Sequence, residues 1–169
     1  FQTHDLTPVL NSPQQLEQWR RAAGDKSLAA ALHIDTGMAR LGLTANEAGE
    51  LAAGLRRGPE RLAGLDLQFI ISHLACADQP GHALNQAQRQ SFESHLAALR
   101  PVPGSLANSS GIFLGPAYHF NLVRPGIALY GGNPTPDKSN PMAEVVRLRG
   151  RIIQVREIDT PESVGYGAT

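Results

Sequence analysis

At 169 residues, 41% of them apolar and 18% charged, the chain is long enough for one ordinary domain or for part of a larger one. Fifteen basic residues balance fifteen acidic ones, so no global field is available to hold nucleic acid or an anionic membrane, and neither is expected as a partner. The single cysteine, Cys76, rules out an internal disulfide framework, no Cys/His cluster has zinc spacing, and no apolar run approaches the ~20 residues of a membrane-spanning helix.

These features point to a reducing compartment, and the expected location is the cytoplasm. The start, FQTHDLTPVL, lacks an initiator methionine and has neither a basic n-region nor an apolar h-region. The end, VGYGAT, breaks off within a strand pattern. The expectation is an internal piece of a longer protein.

In chain order, LTPVLNS is a short extended run, followed by SPQQLEQWRRAAG. There Ser12 is the N-cap, Pro13 the first helical residue and Gln15 the capping-box partner; Leu16, Trp19 and Ala23 share one face, and Gly24 is the stop. LAAALHID is a near-continuous apolar run that suits a strand buried on both faces. A second helix starts at TANE, with Thr44 as cap and Glu47 as its partner, runs through Ala48, Leu51 and Leu55, and closes at Gly58-Pro59. LDLQFIISHLA reads as a strand, NQAQRQSFESHLAALR as a helix with the stripe Phe92, Leu96 and Leu99, and GSLANSSG as a short strand. LVRPGIALYGG supplies one more apolar segment. Strand and helix thus alternate about four times over residues 1–130, the rhythm of parallel β/α units. After the loop GGNPTPDKSNP, AEVVRLRGRIIQVREI alternates apolar and polar residues with period two, which predicts an antiparallel β segment and the opening of a second domain.

Four candidate strands, the last of them in LVRPG, each finish on small or polar residues that a core would not choose: Thr36-Gly37 with Arg40, Ser72-His73, Asn108-Ser109-Ser110-Gly111, and Arg124-Pro125-Gly126. In a parallel β/α barrel all such ends open onto one face, where active sites are built. Singly, each has a structural explanation: His73 as a satisfied core imidazole, Asn108 as a turn former, Gly126 as a tight-turn residue. As a set they supply what a phosphorylated cofactor needs, namely the Ser109 hydroxyl, a helix start after NSSG, and the backbone amides of Gly126 and Ile127. Asp35-Thr36-Gly37 also matches the aspartic protease triplet, but that chemistry needs two triplets paired across a dyad in an all-β body. Here one triplet lies between helices.

HIDTGMARLGL, ISHLACAD, ANSSGI, VRPGIALYG and VGYG, in that order, resemble alanine racemase, a pyridoxal phosphate (PLP) enzyme family. The resemblance implies an α/β fold in two parts. Residues 1–132 would form the second half of a (β/α)8 TIM-type PLP-binding barrel, and residues 133–169 the start of a C-terminal antiparallel β domain. It also implies that Ser109, with Asn108 and the backbone of Gly126 and Ile127, holds the PLP phosphate. Arg124 would face the pyridine nitrogen and His73 would hydrogen-bond Arg124. A guanidinium does not readily give up a proton, so the ring nitrogen would stay unprotonated. Arg40 would steady the substrate carboxylate, with Asp35 and Thr36 shaping the strand end, and Tyr166 would be one of two catalytic bases.

By the same resemblance, the substrates are L- and D-alanine, feeding peptidoglycan precursors. The full protein would be a homodimer in which Tyr166 reaches the partner's cofactor. The lysine that carries PLP as a Schiff base belongs to a motif resembling KANAYGHG, which has no match here; the only lysines are Lys26 and Lys138. The chain alone is therefore expected to be inactive without a complementary segment or subunit. His33 occupies a position where many members place a lysine, and its role is open. A broad-spectrum amino acid racemase and a non-catalytic PLP-binding barrel module are the alternative functions.

Overall fold

The computed structural model describes every residue except 59–61, 63, 100, 164 and 167–169. Pro59, Arg100, Val164 and Gly167 of the sequence patterns above lie outside the described residues. Four strands, β1 (Val9–Leu10), β2 (Leu28–His33), β3 (Leu65–Ile71) and β4 (Gly104–Ser105), form one parallel sheet in the order β1-β2-β3-β4. Helices α1 (Pro13–Ala23), α2 (Ala45–Arg57) and α3 (Ala83–Ala98) connect successive strands, and a single turn, α4 (Ser109–Ile112), follows β4. This is the architecture of successive β/α barrel units, with every C-terminal strand tip on one edge.

Local chemistry sets the helix ends. Ser12 Oγ accepts from the Gln15 amide, and the Gln15 side chain reaches back to the Asn11 amide at 2.7 Å. α2 carries a complete capping box, in which Thr44 Oγ1 accepts from Glu47 N and Glu47 Oε2 accepts from Thr44 N. Gly24 takes φ +57 at the end of α1, a backbone state a side chain would resist. Leu16 and Ala23 are buried while Trp19 packs on the core edge, as their shared face requires.

The core lies between the sheet and α1, α2 and α3, around Leu32, Ile34, Leu43, Ile70, Leu74, Phe92 and Leu106. β2 is apolar from Leu28 to Leu32 because β1 and β3 pair it on both sides and helices cover it. Phe92 is fully buried and meets the edge of Phe120 at a centroid distance of 5.0 Å and 82°. Such T-shaped pairs add about 0.5–1.5 kcal/mol beyond area burial.

Two segments depart from the sequence expectation. The LVRPG stretch forms no strand; residues 121–124 instead run beside β4, with Asn121 N donating to Gly104 O and Arg124 N to Ala107 O. Pro125 and the turn that follows end the pairing before a ladder is established. The second departure is at AEVVRLRGRIIQVREI, where no strand forms among the described residues. Leu148 and Ile153 are 97% and 96% exposed. A period-two pattern makes a strand only when a neighbour takes its backbone groups and covers its apolar face. No segment among the described residues does so.

Phe92→Ala is expected to destabilise the fold by about 3–5 kcal/mol through cavity formation, and Thr44→Ala by about 1 kcal/mol through loss of the cap. Urea denaturation midpoints check both, and the core variant should shift the midpoint several times further.

Candidate active site at the strand tips

The HIDTGMARLG motif folds into a tight loop at the end of β2. Asp35 Oδ1 accepts hydrogen bonds from the amides of Gly37, Met38 and Ala39 at 2.9, 2.9 and 3.1 Å. Burial opposes ionisation of this carboxyl, but the three amides outweigh it and hold Asp35 below the usual carboxylate range. The loop then returns to the strand, with Leu43 N donating to His33 O. Gly42 has φ +109, and a Cβ there would stand 2.8 Å from the Asp35 amide nitrogen, so only glycine fits the return. Asp35 is thus an organiser of the Arg40 loop. Thr36 Oγ1 meets Ser72 Oγ at 2.7 Å, joining the tips of β2 and β3.

Arg124 crosses from the 121–124 segment back to the sheet. Nη1 donates to Ser105 Oγ and Nη2 to Ser72 O, each at 2.5 Å, while Ser105 Oγ donates onward to Leu122 O. The expected hydrogen bond between His73 and Arg124 is not formed. Both guanidinium contacts go to the tips of β3 and β4, and His73 Nε2 instead lies 3.5 Å from Asn108 Nδ2. The two groups still feel each other: burial first, then the charges of Arg124 and Arg40, lower the His73 pKa.

His33, whose role the sequence leaves open, is buried at the end of β2, and its Nδ1 meets Asn11 Oδ1 at 2.8 Å. Asn11 Nδ2 donates to Val9 O, which turns Oδ1 toward the imidazole and makes Nδ1 the donor. Burial, then Arg124, lowers the His33 pKa against an opposing pull from Asp35. Two neutral imidazoles therefore stand beside two guanidiniums. Among the described residues neither Arg40 nor Arg124 makes an ion pair. Burial also lowers the Arg124 pKa, yet an arginine remains charged at ordinary pH.

Ser109 is buried and its Oγ accepts from the amides of Gly126 (2.7 Å) and Ala128 (3.3 Å). The amides of Gly126 and Ala128 thus converge on this oxygen, and Ile127 opens a 3-10 turn (Ile127–Tyr130). Asn108 caps α4 through Oδ1, which accepts from Gly111 N at 2.9 Å. The helix start expected to add partial charge is only four residues long, too short for aligned peptide dipoles to sum. The amides of Gly126 and Ala128 are taken by Ser109 Oγ, which leaves the Ser109 O–H as the donor at this turn.

The strand tips thus bring together Arg40, His73, Asn108, Ser109, Arg124 and Gly126, linked pairwise by hydrogen bonds or by charge. Tyr166 is not among them; its side chain is fully exposed and makes no hydrogen bond or ring contact with the described residues. Lys26 precedes β2, at the opposite edge of the sheet from the tips. Lys138 lines a cavity of about 330 Å³ beside Ser110, Phe113 and Asp137, which none of the tip residues above lines. Sequence reasoning missed Gln88, a buried residue of α3 that bonds to both the β2 and β3 tips. Its only signal is its place four residues before Phe92, on the inward face.

A family model described as alanine racemase, N-terminal domain, matches residues 1–134. The alanine racemase of Rhodospirillum rubrum is 56% identical over 167 residues, 97% of this chain and 43% of that protein. The biosynthetic alanine racemase of Agrobacterium fabrum is 46% identical over 98% of this chain and 42% of its own length. Among solved structures, biosynthetic alanine racemase from Pseudomonas aeruginosa superposes with a TM-score of 0.78 at 38% identity, covering 95% of this chain and 44% of that one. Alanine racemase from Bartonella henselae, solved with covalently bound pyridoxal phosphate, gives 0.76 at 36% identity over 84% and 41%. The chain spans less than half the length of these relatives. Its fold is part of a TIM-type barrel, and the chain belongs to the alanine racemase N-terminal domain family.

Proposed function

We propose that this chain supplies the phosphate-binding and ring-facing part of a PLP-dependent alanine racemase, which interconverts L- and D-alanine for peptidoglycan synthesis. The observation that carries the reading is the state of Ser109. Two backbone amides already occupy the acceptor side of its hydroxyl, so its O–H is left to donate to an anion. A Cβ on Gly126 would stand 3.9 Å from that oxygen, in space the glycine leaves free beside it. A buried hydroxyl donor and a half-buried guanidinium without a carboxylate partner among the described residues fit a phosphorylated pyridine.

When bound, PLP acidifies the α-carbon proton of the amino acid it activates. The residues of this chain set the conditions for that chemistry. Ser109, with Asn108 and the Gly126–Ile127 turn, holds the phosphate. Arg124, pinned by Ser72 and Ser105, presents a fixed charge to the ring nitrogen and withholds a proton from it. Arg40, carried on the Asp35-braced loop, grips the substrate carboxylate. Tyr166 moves a proton on one face of the substrate carbon. Its exposure in this chain suits a base that reaches the site of a second subunit, so a homodimer is part of the proposal. An unperturbed phenol titrates near pH ~10, and a neighbouring guanidinium eases its ionisation.

The opposite base and anchor of the cofactor is a lysine from a segment outside this chain. Residues 133–169 then open a C-terminal β domain distinct from the barrel part at 1–132, and the protein acts in the cytoplasm. No described helix is long and apolar enough to cross a membrane.

The test is the protein expressed with the segments its full-length relatives carry. Ser109→Ala should weaken PLP binding about tenfold or more, the equivalent of a charge-assisted hydrogen bond worth about 1.5–3 kcal/mol. Tyr166→Phe should abolish racemisation with PLP still bound. Unchanged PLP affinity in Ser109→Ala together with full activity in Tyr166→Phe would overturn the assignment.

A pH dependence follows from the histidines. The folded pKa values of His33 and His73 lie below the ordinary 6.5, so below that pH the unfolded chain binds more protons than the folded one. Stability should therefore fall as pH drops from about 6.5 toward the folded values. Imidazole resonances of both residues should titrate below 6.5, and His33→Gln should flatten the fall in the denaturation midpoint.

A further inference from the structure

Gln88 is a fully buried glutamine on the inward face of α3, one turn before Phe92. A packing role alone would be met by leucine or methionine, since a buried amide costs stability unless all its polar atoms are paired. Here they are paired, and every partner lies at the strand tips. Oε1 accepts from Ala75 N at 2.9 Å, and Nε2 donates to His73 O at 2.9 Å and to Thr36 Oγ1 at 3.3 Å. The Ala75 amide can only donate, which fixes the orientation of the carboxamide.

The partners of Gln88 lead directly into the site. Thr36 Oγ1 continues to Ser72 Oγ, and the carbonyl of Ser72 holds the Arg124 guanidinium. His73, whose carbonyl Gln88 grips, faces Asn108, the neighbour of Ser109. One carboxamide thus fixes the segment from Ser72 to Ala75 against the β2 tip.

We propose that Gln88 is a positioning residue of the cofactor site: it sets the Ser72–Ala75 segment, and through the Ser72 carbonyl it aims Arg124 at the pyridine ring. The inference rests on the cofactor reading above and names a residue that acts without touching the cofactor. Misplacement of a guanidinium at a ring nitrogen is felt strongly because the interaction depends on geometry as well as charge.

The experiment compares Gln88→Met, of similar size, and Thr36→Val, which cuts the same link from the other strand, with Phe92→Leu as a core control on the same helix, all in the full-length protein. Without cofactor, hydrogen exchange at the Ala75 amide should accelerate in Gln88→Met. On addition of PLP, both link variants should show a PLP dissociation constant raised about tenfold and an altered visible circular dichroism band. Phe92→Leu should lower thermal stability and leave the band in place. A wild-type band that both link variants reproduce at wild-type affinity would overturn the inference alone. A wild-type protein that gives no band with PLP would overturn the cofactor reading and this inference with it.

Discussion

The structure depends on how the tips of a parallel sheet satisfy their polar groups. Parallel strands all end on one edge, where backbone carbonyls and amides run out of ladder partners. In this chain side chains pair those groups sideways. Arg124 donates to the Ser72 carbonyl, Gln88 donates to the His73 carbonyl and accepts from the Ala75 amide, and Asp35 accepts from the amides of Gly37, Met38 and Ala39, while Arg124 and Thr36 tie down the Ser105 and Ser72 hydroxyls. The same bonds that close the edge also hold cationic and hydroxyl groups where a ligand can reach them. On the proposed reading, fold stability and ligand recognition draw on one set of contacts.

The electrostatics of the edge follow. The carboxyl of Asp35 is committed to three loop amides, and the two histidines are held neutral by burial and by their cationic neighbours. Arg40 and Arg124 are left without a carboxylate partner among the described residues. A chain whose overall charge is balanced thus carries a locally positive strand-tip edge, suited to an anionic ligand rather than to a polyanion. A guanidinium stays charged at ordinary pH and burial disfavours protonation of His73, so the edge keeps that character across neutral pH.

Much of this was legible in the sequence where the governing interactions are local. The caps at Ser12 and Thr44, the stop at Gly24 and the Phe92 stripe each depend on residues within one or two helical turns. Recognition of the family rests on motifs at several strand tips, and the structure brings most of those residues together. What was not legible depends on partners distant in the chain. Gln88 sits among Gln86 and Gln90 in NQAQRQ, and composition alone does not single it out. The ring contact of His73 was expected at Arg124 and lies instead toward Asn108, because the Ser105 hydroxyl and the Ser72 carbonyl take the guanidinium. The 143–158 alternation has strand propensity, but propensity without a neighbour yields no ladder.

Strand order in this sheet equals chain order. Each new strand docks on the one made just before it, and each crossover helix can cover its pair before the next strand is synthesised. Loop closure stays short at every step, which favours rapid assembly from contacts near in sequence. A chain built this way can consolidate unit by unit as it leaves the ribosome, adding each strand at one edge of the sheet.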